Sequence, residues 1–305
     1  MKKVLFFLAT LWSTHVISQP GGSDPSVTCT AHWKKGEERI FTIFQTNYST
    51  AEESTPLFHF EYEATVTVLD SGAQGYTLQW AFHLPDLLKE ARPKLADSLP
   101  VYEGLKMIYH TDPAGAFKDL VNWQEVLNAY VKMMEIPLHK PLDSTMQASL
   151  EQTKALFNTR EAVEGALIKE IQLFHTPYGH PFTTRAKAFS STLPNPWSKE
   201  PLPGIQTWQI TGMNEGPSYI LGGEQDIDSS GIQGVMKNIM KNTPAGTDSV
   251  AREIGQALAQ LKIHDRSSYH IDRSTGWVNK VEYTRTVQIG RLLKKNTYEI
   301  SFKQL

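Results

Sequence analysis

Within Arg39–Tyr48 and Phe58–Leu69 the chain is rich in Phe, Thr, Val and Tyr, and the second stretch shows a period of two between polar and apolar residues. Thr65, Thr67 and Leu69 interleave with Val66, Val68 and Asp70, as a strand with two distinguishable faces requires. The pattern predicts strands over Arg39–Tyr48, Phe58–Leu69 and Tyr76–His83. The last two are joined by a turn at Asp70-Ser71-Gly72-Ala73-Gln74-Gly75, where Gly75 can take positive φ. A second hairpin is predicted over Leu105–Asn122, around Asp112-Pro113-Ala114-Gly115. The rival is a helix opening at Asp112 with Pro113 in its first position. The hairpin is preferred because Asn122 and Glu125 have capping-box spacing for a separate helix, Trp123–Glu135. On that helix Val126, Leu127, Tyr130, Val131 and Met134 share one face.

The period then becomes three to four. Met146, Leu150, Thr153 and Phe157 form one stripe. Thr159 caps a further helix carrying Val163, Ala166, Leu167, Ile171 and Phe174, which Pro177, Gly179 and Pro181 bring to an end. Pro194, Pro196, Pro201 and Pro203 make 183–204 read as a long surface loop beside further strands. Strands are predicted at Thr207–Thr211 and Ser218–Asp228. Helices follow around Ile232–Met240 and Val250–Leu261, then strands at Ser267–Asp272, Trp277–Ile289 and Thr297–Lys303, with a turn at Arg273–Gly276. Three turns share an Asp-to-Gly grammar: Asp70 with Gly75, Asp112 with Gly115, and Asp272 with Gly276. Strands at both ends with helices between them predict an α+β fold built on antiparallel pairs.

Ahead of this pattern, Lys2 and Lys3 precede a short apolar run, Val4–Trp12, too short to span a bilayer. Val16 and Ser18 sit where a leader peptidase reads small or permissive residues. The expectation is a secretory signal peptide over 1–18. Cleavage would take the formal charge from −2 to −4 through loss of the two lysines. Neither value gives a basic excess for nucleic acid, so no nucleic-acid partner is expected. At 40% hydrophobic and 20% charged residues, the 305-residue chain has the composition of a folded protein with a sizeable core. Cys29 is the single cysteine, so no bridge within the chain can staple that core. It is expected to be buried as a small hydrophobe near the first strand.

No phosphate-binding loop, His-Glu-x-x-His pair, Gly-x-Ser-x-Gly elbow or Cys-x-x-Cys pair is present. The metal candidates are His175 and His180, in His-Thr-Pro-Tyr-Gly-His-Pro, with a third ligand to come from His264, Asp265 or His270. Their spacing matches no familiar metal motif, and no cofactor is expected. Gly222 and Gly223 lack dinucleotide-binding spacing and read as a bend or bulge in a strand. The tryptophans, among them Trp33, Trp80, Trp208 and Trp277, read as packing residues. The ligand candidates are Met133, Met134, Met236 and Met240, adaptable thioethers on two predicted helices that could line an apolar cleft.

Tyr76-Thr77-Leu78-Gln79-Trp80, Thr111-Asp112 through Asn122-Trp123, and Tyr269-His270-Ile271-Asp272 with Thr275-Gly276-Trp277 resemble a family of uncharacterised exported proteins of Gram-negative bacteria. The order of elements is also similar to lipoprotein-carrier-like periplasmic folds. That resemblance implies a curved antiparallel sheet with several helices packed on or inside it, and no catalytic residues. The expectation is one α+β domain over 19–305, or two sub-lobes meeting near 183–204. In function it is a non-catalytic protein of the periplasm or medium, binding a lipid or other apolar ligand, with no membrane span once the leader is removed. The alternative is a secreted hydrolase, metal-dependent at the His175–His180 loop. Mass spectrometry of the protein from its native host is expected to find a mature N-terminus near Gln19. Retention of Met1 in a cytosolic fraction would overturn that placement.

Overall fold

The structure is a computed structural model that describes residues 26–48, 55–83, 104–135, 157–193, 202–213, 218–228, 260–290 and 292–303, with a few single residues besides. Its centre is an 11-stranded sheet in which every neighbouring pair is antiparallel. A short strand β1 (Val27–Thr28) precedes it. The sheet itself begins with β2 (Glu38–Tyr48), β3 (Phe58–Gly72), β4 (Gly75–His83), β5 (Lys106–Thr111) and β6 (Phe117–Leu120). Helices α1 (Trp123–Glu135), α2 (Arg160–Leu167) and α3 (Lys169–His175) follow, then β7 (Pro181–Phe182), which pairs with β1. The sheet is completed by β8 (Lys187–Leu193), β9 (Leu202–Met213), β10 (Ser218–Ile227), β11 (Lys262–Asp272), β12 (Val278–Ile289) and β13 (Leu292–Phe302). Its spatial order is β6-β5-β4-β3-β2-β13-β12-β11-β10-β9-β8, so two meanders are joined where β13 pairs with β2.

The sheet is curved, and a length argument shows it. Helix α3 lies against β6, β12 and β13, and β6 and β12 are six strand spacings apart. Laid flat, six spacings of roughly 4.8 Å would cover about 29 Å. The seven residues of α3 make a rod only about 10 Å long. Both strands reach it only because the sheet bends around it. Strand alternation then sorts the side chains: Tyr62, Ala64, Val66 and Val68 are buried on β3, while Glu63, Thr65 and Thr67 between them are only half-buried. The same face carries Phe41 and Ile43 on β2, Leu78 and Trp80 on β4, and Tyr269 and Ile271 on β11.

The two ends of the sheet differ. The turns β3–β4, β5–β6 and β11–β12, the entry to β2 and the end of β13 fall at one end, as the antiparallel order requires. The Asp-to-Gly turns noted in the sequence are these three, with Gly75, Gly115 and Gly276 all at positive φ. Four register shifts sit near this end, between Val68/Asp70, His110/Thr111, Ile220/Leu221 and His270/Ile271. Bulges add twist and bend the strand that carries them, so curvature is built where the turns converge. The segment Cys29–Glu37 crosses this end. Ala31 N donates to Ala114 O at 2.8 Å, His32 N to Thr275 O at 3.1 Å, and Gly36 N to Val68 O at 2.8 Å.

The expected α+β arrangement is overturned. The described residues form mostly antiparallel sheet, with three short helices among them. Strands from both halves of the chain pair into one curved sheet, which covers much of its own inner face. The stretch read as a surface loop over 183–204 contains β8, which pairs with β9 across Lys187–Leu193. The helix expected to run on from Thr159 breaks at Ile168, whose φ of −123° and ψ of 37° are not helical. Gln172 Nε2 takes up the freed Glu164 carbonyl at 2.9 Å, and the break turns Ile168 fully inward. Of the helix over Met146–Phe157 only Glu151, Lys154 and Phe157 are described, and those around 232–240 and 250–259 lie outside the described residues.

Local expectations fared better. The Leu105–Asn122 hairpin forms as β5 and β6, and α1 begins at Trp123. Thr159 caps α2, its Oγ1 accepting from Ala162 N at 3.2 Å. Asn122 instead extends β5, its Oδ1 accepting from Ile108 N at 2.9 Å and its Nδ2 donating to Lys106 O at 2.7 Å and to Glu125 Oε2 at 2.9 Å. The closed end supplies a test. Gly276 has φ of 69°, and a Cβ there would run into the backbone carbonyl of Thr30. Gly276→Ala is expected to cost at least about 2 kcal/mol, read as a lower urea midpoint at unchanged slope.

Candidate functional site

The concave face is divided into three zones along the strands. The first, at the closed end, is an aromatic plug. Trp33 packs against Tyr76, Tyr178 and Trp277 with ring centroids 5.0, 5.2 and 4.9 Å away. Tyr178 Oη donates to Gly276 O at 2.6 Å, Tyr76 Oη to Ala31 O at 3.0 Å, and Trp277 Nε1 to Glu37 Oε2 at 3.1 Å. The ring of Tyr178 lies where a Cβ of Gly115 would be, which ties the β5–β6 turn to the plug. Cys29 is fully buried beside it. Burial pushes its thiol up to about 12, so it behaves as the small hydrophobe expected from sequence.

His175 belongs to this plug. Its Nδ1–H donates to Gly115 O at 2.7 Å, and its Nε2 accepts from Tyr109 Oη at 3.0 Å. The carbonyl fixes Nδ1 as the donor, and burial, which pushes the ring's pKa down to about 4, keeps it neutral and leaves Nε2 as the acceptor. A metal at either nitrogen would have to displace a buried protein partner. His180, the other metal candidate, is exposed. Of the third ligands considered, His264 bonds Asp226 at 2.8 Å, and Asp265 is held by Arg285. Among the described residues no three His, Cys, Asp or Glu side chains could hold a metal ion together.

The second zone, further along the strands, is a cavity of about 210 Å³ between α3 and strands β8–β12. Trp208, Gly223, Asp265, Tyr269 and Tyr283 contribute to its sheet side, and Lys169 and Leu173 to its helix side. A Cβ on Gly223 would meet the Trp208 ring 2.6 Å away and Ser267 Oγ 2.7 Å away, so this glycine makes room for the indole. The bulge foreseen here lies two residues earlier, at Ile220/Leu221. Asp265 is buried and held bidentately, with Arg285 Nε at 2.8 Å from one oxygen and Nη2 at 2.7 Å from the other. Lys169 places its ammonium 4.8 Å from the Tyr283 ring centre. Burial first and the Arg285 charge second push Lys169 down to about 8. Tyr283 Oη is buried without a hydrogen bond, and burial raises its pKa so that it stays protonated.

The third zone is apolar. Leu202, Ile227 and Leu261 form a small cluster with Ile263, Val287 and Ile289. Ile227 and Ile263 are each two residues along the strand from a cavity residue, Gln225 and Asp265, so they share its face. Met133 and Met134 belong to the last turn of α1, whose side chains there lie outside the described residues, as do Met236 and Met240 altogether. Lys169, Tyr283, Asp265 and Arg285 were missed as a group. A signal existed, because Asp265 and Tyr283 occupy the inner parity of strands whose neighbours Tyr269 and Val281 are apolar.

No family model and no curated protein matches the chain. Among solved structures, the crystal structure of Rv2717c from M. tuberculosis aligns with 87% of this chain and 91% of its own, at 9% identity and a TM-score of 0.25. No helix among the described residues is long and apolar enough to cross a membrane.

The plug carries its own pH test. In the unfolded chain a histidine titrates near 6.5, whereas His175 in the fold is held down to about 4. The unfolded state therefore binds more protons between those values, and stability falls as pH drops from 6.5 to 4. The shift corresponds to roughly 3 kcal/mol. Urea melts at pH 7 and pH 4 are expected to differ by about that amount more in the native protein than in His175→Gln.

Proposed function

We propose that this protein is a non-catalytic binding protein of the cell envelope that takes an apolar or lipid-like ligand on its concave face. The observation that carries the reading is the succession of zones. A plug closes one end of the curved sheet, a cavity follows, and an apolar strip continues from the cavity on the same face. An elongated ligand gains about 0.8 kcal/mol for each methylene it buries, before ordering costs are subtracted. The cavity is smaller than the roughly 300–1,000 Å³ common for sites that enclose a whole small molecule, so it suits one end of a longer ligand. Placement in the periplasm or medium of a Gram-negative bacterium rests on Lys2, Lys3 and the apolar run Val4–Trp12, together with the family resemblance. The reading of a metal-dependent hydrolase draws no support from His175, whose two ring nitrogens are both engaged.

Protein purified from its native host is expected to release lipid on organic extraction, identified by mass spectrometry. The delipidated protein should show saturable binding of a fluorescent fatty acid, accompanied by a change in tryptophan emission that is lost in Trp208→Phe. Lipid-free protein with no saturable binding would remove the reading.

A further inference from the structure

Two donors that line the same cavity make no hydrogen bond within the fold. Lys169 makes no hydrogen bond or ion pair among the described residues, and its ammonium lies 4.8 Å above the Tyr283 ring. Tyr283 is 6% exposed, lines the cavity, and leaves its hydroxyl without a hydrogen bond although Asp265 and Arg285 stand beside it. A buried polar group left unpaired costs free energy, and two at one cavity call for a common explanation. The acceptors nearby already carry partners: each Asp265 oxygen accepts one N–H of Arg285, and Ser191 Oγ accepts from Gln225 Nε2 at 2.8 Å.

Because both unpaired groups are donors, the matching ligand atom is an acceptor, and because one donor is a cation, an anion fits best. The charges around the site agree. Arg285 cancels Asp265, and at the rim Glu224 is paired with Arg266 at 2.9 Å. Glu170, next to Lys169 on α3, lies toward Tyr62 and Tyr298 rather than on the cavity wall, and burial raises its pKa toward the neutral acid. Tyr269, the remaining titratable group of the lining, is buried and stays protonated. The uncompensated charge on the cavity is that of Lys169.

We propose that Lys169 and Tyr283 form an oxyanion-binding site, in which the ammonium and the phenol hydroxyl hold a carboxylate or phosphate group. On the reading of the concave face given above, that group is the head of an amphipathic ligand whose chain runs toward Ile227, Ile263 and Val287. The site itself does not require the chain, so a free small anion is the other source of the same chemistry.

The test uses delipidated protein and four probes, oleate, oleyl alcohol, acetate and inorganic phosphate, followed through calorimetry. Oleate is expected to bind at least about tenfold more tightly than oleyl alcohol at pH 7, since a charge-assisted hydrogen bond is worth roughly 1.5–3 kcal/mol. Lys169→Gln should erase that preference while leaving oleyl alcohol binding in place, which also shows that the variant folds. Tyr283→Phe, which removes only the hydroxyl, should reduce the preference. Oleate affinity should fall as pH rises above about 8, where Lys169 loses its proton, with no matching change for oleyl alcohol. Equal binding of oleate and oleyl alcohol, unchanged in Lys169→Gln, would overturn the oxyanion site and leave lipid binding standing. Lysine-dependent binding of acetate or phosphate with neither oleyl compound bound would uphold the site and overturn the lipid reading. Absence of binding by all four would overturn both.

Discussion

Phe174 and His175 hold the curve of this sheet through a handful of ring contacts. Phe174 lies 5.2 Å from Phe41 on β2, 5.9 Å from Trp80 on β4 and 6.3 Å from Trp277 ahead of β12. The next residue bonds Tyr109 on β5 and the carbonyl of Gly115 in the β5–β6 turn. Strands that are neighbours only through a long arc of sheet are thus joined through two residues of one short helix. Aromatic pairs of this kind add roughly 0.5–1.5 kcal/mol each beyond the area they bury. Removing the Phe174 ring would take several away at once and leave a void that a curved sheet cannot close by sliding. Trp33 Nε1 and Trp80 Nε1 are buried without partners in the same core, so shape has been favoured there over hydrogen bonding.

Curvature in turn fixes where chemistry can occur. At the closed end the turns are short and the strands bulged, and rings fill the space between the walls. Further along, the core gives way to the cavity and its charged wall. The same period-two alternation serves both halves. It buries Ile271 near the plugged end and Asp265 six residues earlier on the same face. Where the inner face is charged, the charge is handled by a bidentate pair, which leaves Arg285 and Asp265 with little to offer a ligand and Lys169 with much.

What the sequence made legible was local. The Asp-to-Gly turns, the Thr159 cap and the start of α1 each depend on residues a few positions apart, and each formed where the spacing put it. The fold class was not legible for the opposite reason. It depends on β2 meeting β13, with Phe41 registered against Phe302, a pairing across almost the whole chain that no local pattern encodes. Periodicity also could not distinguish a long helix from two short ones, because the break at Ile168 keeps Val163, Ile171 and Phe174 on buried faces. The candidate site was hidden by a related problem. His175 attracted attention as a ligand type, yet its loop folds into the core, while Lys169 looked like any solvent-facing helix residue until the sheet closed around it.

The state of Lys169 links stability to occupancy with opposite signs. In the unfolded chain its amine titrates near 10.5, and in the fold it is pushed down to about 8. Between those values the unfolded state binds more protons, so its contribution to stability rises with pH across the window and is unfavourable below it. A residue kept only for the fold would therefore serve better as an uncharged side chain of similar length. An anion reverses the balance, since it stabilises the protonated amine and raises its pKa in the complex. The empty site penalises the protonated lysine and the filled site stabilises it, so the fold carries the cost of the charged form until a ligand of the complementary charge removes it.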